Sequence, residues 1–218
     1  MHMLRIELPC FEIGVLMIKR FRDGLDAGLK ALWKPPFRSG VRNGGFEQTL
    51  RNVCMPYIED RTRRTAFTES GQRADLLLCG AEDNPESRTR CEFKVNFAAQ
   101  HSLIPARITE AKSQIERRPG PKKQAADGIV VYAIAELVML DDDEKLQAHL
   151  HNKHVIRTTY KKFIDPAASS ARMREAEKFF RLHHFERMPS EIEPLKLDDG
   201  SGLARLNVWT FYQPPISR

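Results

Sequence analysis

Residues Cys91 to Phe97 alternate without a break. Cys91, Phe93, Val95 and Phe97 are apolar, and Glu92, Lys94 and Asn96 between them are polar. A period of two belongs to a strand, whose successive side chains leave opposite faces; a helix would spread the same residues around its circumference. The segment is therefore committed to a sheet with one apolar and one polar face. Just before it, Ala74 to Cys79 is a short apolar run bounded by Gly71-Gln72 and Gly80, which reads as a buried strand. The polar stretch between the two holds the turn signal Asn84-Pro85, so they form a hairpin centred near residues 83–84. Symmetric pairing about that centre sets Asp75 opposite Glu92 or Phe93.

Other elements arrange themselves around this hairpin. Apolar spacing over 11–33 predicts a helix broken by Gly14, Gly24 and Gly28 and ended by Lys34-Pro35-Pro36. Arg38 to Gly45 reads as a loop. Phe46, Leu50, Val53, Cys54 and Tyr57 share one helical face, which predicts a helix from Phe46 to about Ile58, with Pro56 weakening its last turn. Arg64 to Phe67 reads as a short strand. Residues 104–118 read as a helix closed by Pro119-Gly120-Pro121, Gly128 to Leu137 as a central strand, Asp141 to His151 and Ser170 to Phe185 as helices, and Leu203 to Tyr212 as a last strand. The order over 46–137 is helix, strand, strand, strand, helix, strand. That is an α/β chain with a mixed central sheet and flanking helices. We read 1–218 as a single domain, with an N-terminal helical extension over 1–43, a core over 44–137 and a C-terminal elaboration over 138–218.

The polar side of the alternating strand carries the chemistry. Glu92 and Lys94 are same-face neighbours roughly 6.6 Å apart along the strand, and Asp75 is brought across from them. Paired carboxylates suit Mg²⁺, a hard cation that takes oxygen ligands and keeps waters for substrate and nucleophile. A metal so placed polarises a phosphodiester and lowers the pKa of a bound water, and a lysine beside it orients that water or stabilises charge developing on phosphorus. The acidic-x-Lys spacing also occurs at Glu110/Lys112 and Asp143/Lys145, but the first lies in a predicted helix and the second in an acidic run.

Ala74-Asp75 followed by Glu92-Phe93-Lys94, set in this order of elements, resembles the PD-(D/E)xK nuclease superfamily, the restriction-endonuclease-like fold. The resemblance covers about residues 44–137 and departs from the family pattern at Ala74, where the motif's proline would stand. It implies that Asp75 and Glu92 bind Mg²⁺, for which Mn²⁺ could substitute, with help from the backbone carbonyl of Phe93. It implies that Lys94 serves the attacking water. Glu47 on the preceding helix is the candidate assistant to the metal, and Gln114 on the following helix, with Lys112 second, is the candidate that completes the site. The implied activity is metal-dependent endonucleolytic hydrolysis of DNA, by a chain acting alone, as a homodimer or with a protein partner, in restriction or defence against mobile elements. RNA is an alternative substrate. The competing reading is a catalytically inactive protein of the same fold, serving as a DNA-binding module or an immunity-type protein partner.

Charge is compatible with a polyanion. The chain has 35 basic and 29 acidic residues, a formal net charge of +6. Residues 34–64 carry seven basic residues against three acidic, and residues 107–123 carry six against two. From these flanks and from Tyr160-Lys161-Lys162, the candidate phosphate contacts are Arg42, Arg63, Arg64, Lys112, Lys122, Lys123, Lys161 and Lys162. His149, His151 and His154 are spaced poorly for zinc, and no P-loop or G-x-S-x-G occurs. Cys10, Cys54, Cys79 and Cys91 form no C-x-x-C pair and read as free buried thiols. No apolar run approaches the length of a membrane span and no secretory signal is seen, so the expected setting is the cytoplasm, with no membrane partner.

Overall fold

A computed structural model describes residues 10–32, 46–68, 75–80, 87–97, 102–116, 127–139, 166–188, 195–196 and 202–214. Helices α1 (Cys10–Leu32) and α2 (Phe46–Thr62) precede strands β1 (Thr65–Thr68), β2 (Leu76–Cys79) and β3 (Arg88–Phe97). Helix α3 (Ile104–Glu116) and strand β4 (Asp127–Met139) follow. Helix α4 (Pro166–Leu182) leads to β5 (Glu186–Arg187), β6 (Leu195–Lys196) and β7 (Gly202–Gln213). The order expected over 46–137 is the order observed. The helix expected over Asp141 to His151 and the histidines at 149, 151 and 154 lie outside the described residues.

The strands form one seven-stranded sheet in the order β1-β2-β3-β4-β7-β5, with β6 also paired to β7. β3 and β4 are parallel, and every other pair is antiparallel. A parallel neighbour needs a crossover, and α3 supplies it. The sheet is therefore mixed, and the architecture is α/β. Helices α1 and α2 pack on one face and α3 and α4 on the other, because β4 is apolar on both. Ile129, Val131 and Ala133 join Phe21, Leu25, Leu29, Leu50 and Ile58, whereas Val130, Tyr132 and Ile134 join Ile108, Ile115, Phe180 and Trp209. Both flanking segments enter these cores: α1 buries Phe21 and Leu25 completely, and β7 lies inside the sheet next to β4.

One expectation is corrected here. The first helix is not broken at its glycines; α1 runs unbroken over 23 residues. Gly24 and Gly28 are one turn apart and face α2. A Cβ on Gly24 would stand 2.7 Å from Ile58 Cα, and one on Gly28 would stand 2.6 Å from Cys54 Cα. The glycines mark a close helix crossing, where absence of a side chain matters more than helix propensity. The alternation of β3 does mark a strand, and its polar face is buried. Glu92, Lys94 and Asn96 are 2%, 7% and 0% exposed, since α3 covers that side. An alternating pattern distinguishes two faces without saying which of them is wet.

Candidate active site

Strand β2 pairs with β3 only from Cys79↔Arg88 to Leu76↔Cys91. Beyond Cys91 that edge of β3 continues to Phe97 with no strand beside it among the described residues. A buried N–H must still find an acceptor, and here acidic side chains take the place of a strand. Phe93 N donates to Asp75 Oδ2 at 2.8 Å, and Val95 N donates to Glu47 Oε2 at 3.2 Å. In return Asp75 N donates to Glu92 Oε2 at 3.1 Å. Asp75 thus sits opposite Glu92, one step beyond the last ladder pair, and each carboxylate accepts an N–H from the other side. The C=O of a strand residue leaves on the same side as its N–H, so the Phe93 carbonyl faces this carboxylate edge.

Lys94 closes the group. Its Nζ lies 2.6 Å from Glu92 Oε1 and 3.7 Å from Glu110 Oε1. Burial, helped by the Asp75 charge, pushes the Glu92 carboxyl up to about 7, with Lys94 and the Asp75 N–H offsetting only part of the rise. The Glu47 carboxyl is raised as well, by burial first and then by Asp75, against the pull of Lys94, Val95 N–H and Arg107. At Lys94 the balance falls the other way. Burial favours the neutral amine, but Glu92, Glu47 and Glu110 together outweigh it and hold the ammonium charged. The site carries more negative charge than its one buried lysine satisfies.

Two helices frame the edge. On α2, Glu47 and Arg51 are one turn apart, and Arg51 Nη1 lies 3.6 Å from Asp75 Oδ1. On α3, which runs back along β3, Arg107, Glu110 and Gln114 follow at three- and four-residue steps on one face. Arg107 Nη1 donates to the Val95 carbonyl at 2.9 Å and stands 3.7 Å from Glu47 Oε2. It also touches Asn96 Oδ1, which accepts from Tyr132 Oη at 2.5 Å. The sequence does not assign Arg51, Arg107 or Glu110 to the site: the two arginines read only as part of basic flanks, and Glu110 as half of an acidic-x-Lys pair in a helix. The signal was the spacing: 47 to 51 on one helix, and 107 to 110 to 114 on the other.

Of the expected residues, the fold brings together Asp75, Glu92, Lys94 and Glu47. Gln114 lies on the correct face of α3, and its Oε1 is buried with no hydrogen-bond partner among the described residues. Lys112 points elsewhere. Its ammonium donates to the His183 carbonyl at 3.1 Å and sits 3.9 Å from the Phe211 ring centroid. Arg64, expected as a phosphate contact, is buried and donates to the Thr89 hydroxyl, beside Asp127. Arg63 does reach the surface. It ends α2 with a positive φ of 55°, and its guanidinium stands 3.8 Å from Asp60. Arg42, Lys122, Lys123, Lys161 and Lys162 lie outside the described residues. Cys54 and Cys91 are free and buried, whereas Cys79 is free and half-buried; burial raises the Cys54 thiol to about 12 and raises the Cys91 thiol as well.

Among the described residues no three of the His, Cys, Asp and Glu side chains are grouped to hold a metal by themselves. The donor set is two carboxylates, Asp75 and Glu92, with a backbone carbonyl beside them. That set does not fit zinc, which wants three or four side-chain ligands. It fits Mg²⁺, which binds through one or two carboxylates and retains its waters. The upward displacement of Glu92 and Glu47 is the electrostatic counterpart of that fit, because a dication would relieve it. Comparisons with protein-family models, with curated proteins and with solved structures return no match. Among the described residues no helix is long and apolar enough to cross a membrane.

Proposed function

We propose that this chain is a metal-dependent nuclease of restriction-endonuclease-like fold that hydrolyses phosphodiester bonds in DNA, in the cytoplasm. One observation carries the reading: at the open edge of β3 the Asp75 carboxylate takes the Phe93 N–H and the Glu92 carboxylate takes the Asp75 N–H, with the Lys94 ammonium 2.6 Å from Glu92. Two carboxylates and an ammonium, from β3 and from the residue before β2, meet where a strand pairing ends. A surface ion pair would need neither the burial nor the third partner.

Asp75, Glu92 and the Phe93 carbonyl would hold the Mg²⁺. When bound, the metal supplies positive charge that polarises the scissile phosphate and acidifies a coordinated water. The protein's own groups set up the rest. Arg51 and Phe93 N–H hold Asp75 at both oxygens, so its rotamer is settled before substrate arrives. Lys94, kept protonated by its carboxylate neighbours, donates to the attacking water or to the phosphate oxygen gaining charge. Glu47, pinned by Val95 N–H and Arg107, adds a third carboxylate from the α2 side. Of the expected phosphate contacts that are described, Arg63 is the exposed one and would meet a polyanion's flank.

The test is a cleavage assay on supercoiled, linear and single-stranded DNA and on RNA, with Mg²⁺, with Mn²⁺ and with EDTA. Cutting should require metal, and Glu92→Ala or Lys94→Ala should each lower the rate by about a hundredfold or more. Cutting of RNA alone would change the substrate and keep the chemistry. Absence of metal-dependent cutting on every substrate would turn the reading to an inactive relative that binds DNA or protein.

A further inference from the structure

Both oxygens of Glu92 are already engaged. Oε1 holds the Lys94 ammonium at 2.6 Å and Oε2 accepts the Asp75 N–H at 3.1 Å. Each oxygen keeps a second lone pair, but a divalent cation seated on either one crowds the donor already there. The N–H is fixed to the backbone, whereas the ammonium is carried on a flexible stem and is repelled by the dication. Lys94 is therefore the group that leaves. Its side chain is 9% exposed, so it cannot simply exchange Glu92 for bulk water. It needs another anion nearby. Glu47 is occupied by Val95 N–H and Arg107. Glu110 is not so confined: its side chain is 56% exposed, and its Oε1 stands 3.7 Å from Lys94 Nζ. An approach of about 1 Å converts that distance into a hydrogen bond.

We propose that Glu110 is the second seat of the Lys94 ammonium, taking it over from Glu92 when Glu92 binds a divalent cation. The inference rests on the nuclease reading and adds a part to it. Glu110 is a positioning residue that acts through Lys94, and it makes room for the metal while aiming the ammonium away from the ligand oxygen. The handover also explains why the ammonium lies between two carboxylates on different elements, one on β3 and one on α3.

The experiment is a titration of the full-length chain with Mn²⁺, reading free metal by electron paramagnetic resonance with no nucleic acid present. Wild type should bind, and Glu92→Ala should not. Glu110→Gln should weaken binding by about tenfold, because displacing Lys94 then strands a buried charge. Glu116→Gln, a like change of charge at an exposed position of the same helix, should stay within about twofold. The double-variant cycle decides the matter. With Lys94→Met as background there is no ammonium to rehouse, so adding Glu110→Gln should change affinity by about twofold or less. Wild-type affinity in Glu110→Gln, or an undiminished loss in the Lys94→Met background, would overturn the handover and leave the metal site standing. Failure of wild type to bind Mn²⁺, or binding that survives Glu92→Ala, would overturn the metal-site reading together with the handover.

Discussion

Glu92 is a carboxylate in a place where burial works against its charge, and that has a consequence for stability. Its folded pKa, about 7, stands above the ordinary 4.5. Between these values the folded state holds more protons than the unfolded state, so this group's contribution to stability falls as pH rises from about 4.5 to about 7. Glu92→Gln cannot ionise, and its urea midpoint should lose that downward slope across the same window, relative to wild type. An unchanged slope would mean that Glu92 is charged throughout and that Lys94 fully offsets its burial. Single residues also show where reading the sequence stops. Arg64 and Arg63 are adjacent and look alike on paper. One is buried against Thr89 and the other sits exposed in a left-handed turn, because the end of α2 rotates consecutive side chains to opposite sides.

At the scale of elements, the α1–α2 crossing sets where Glu47 and Arg51 stand, since both ride on α2. Gly28→Ala would gain helix propensity of about 1 kcal/mol. It would also drive a methyl to 2.6 Å from Cys54 Cα, a backbone atom that cannot turn aside. Overpacking of this kind costs about 1–3 kcal/mol, and we expect a net loss of stability in urea unfolding. A gain would show that the helices can separate freely. Much of this level was legible in advance. The alternation of β3, the apolar run of β2 and the turn between them placed Asp75 across from Glu92, because strand periodicity and hairpin symmetry are local. What covers a face is not local. Nothing in Glu92-Phe93-Lys94 shows that α3 lies over its polar side, that Arg107 and Glu110 come with it, or that Lys112 on that helix turns to Phe211 instead. Nor does a glycine inside a helical pattern reveal whether it breaks the helix or lets another approach.

Across the whole molecule, two apolar cores share one sheet, and β4 contributes to both. Phe180 is the centre of the second, stacked on Trp209 at 4.5 Å and edge-on to Tyr132 at 5.0 Å. Phe180→Ala should cost about 3–5 kcal/mol. Because the sheet is common property, the loss should be felt on the far face too. Trp209 fluorescence, read in a Trp33→Phe background, and thiol labelling of Cys54 and Cys91 should report one coincident unfolding transition, shifted equally for both probes. Separate midpoints would divide the molecule into two independent layers. The edge of β3 has a meaning at this scale as well. A run of free backbone donors and acceptors is a template on which another chain can build, and proteins guard such edges with charge. Here the guards are Asp75 and Glu47, seated on the N–H groups of Phe93 and Val95. Neutralising both to study the chemistry would strip the guard from the sheet, so the doubly substituted protein is the form most prone to strand-to-strand self-association.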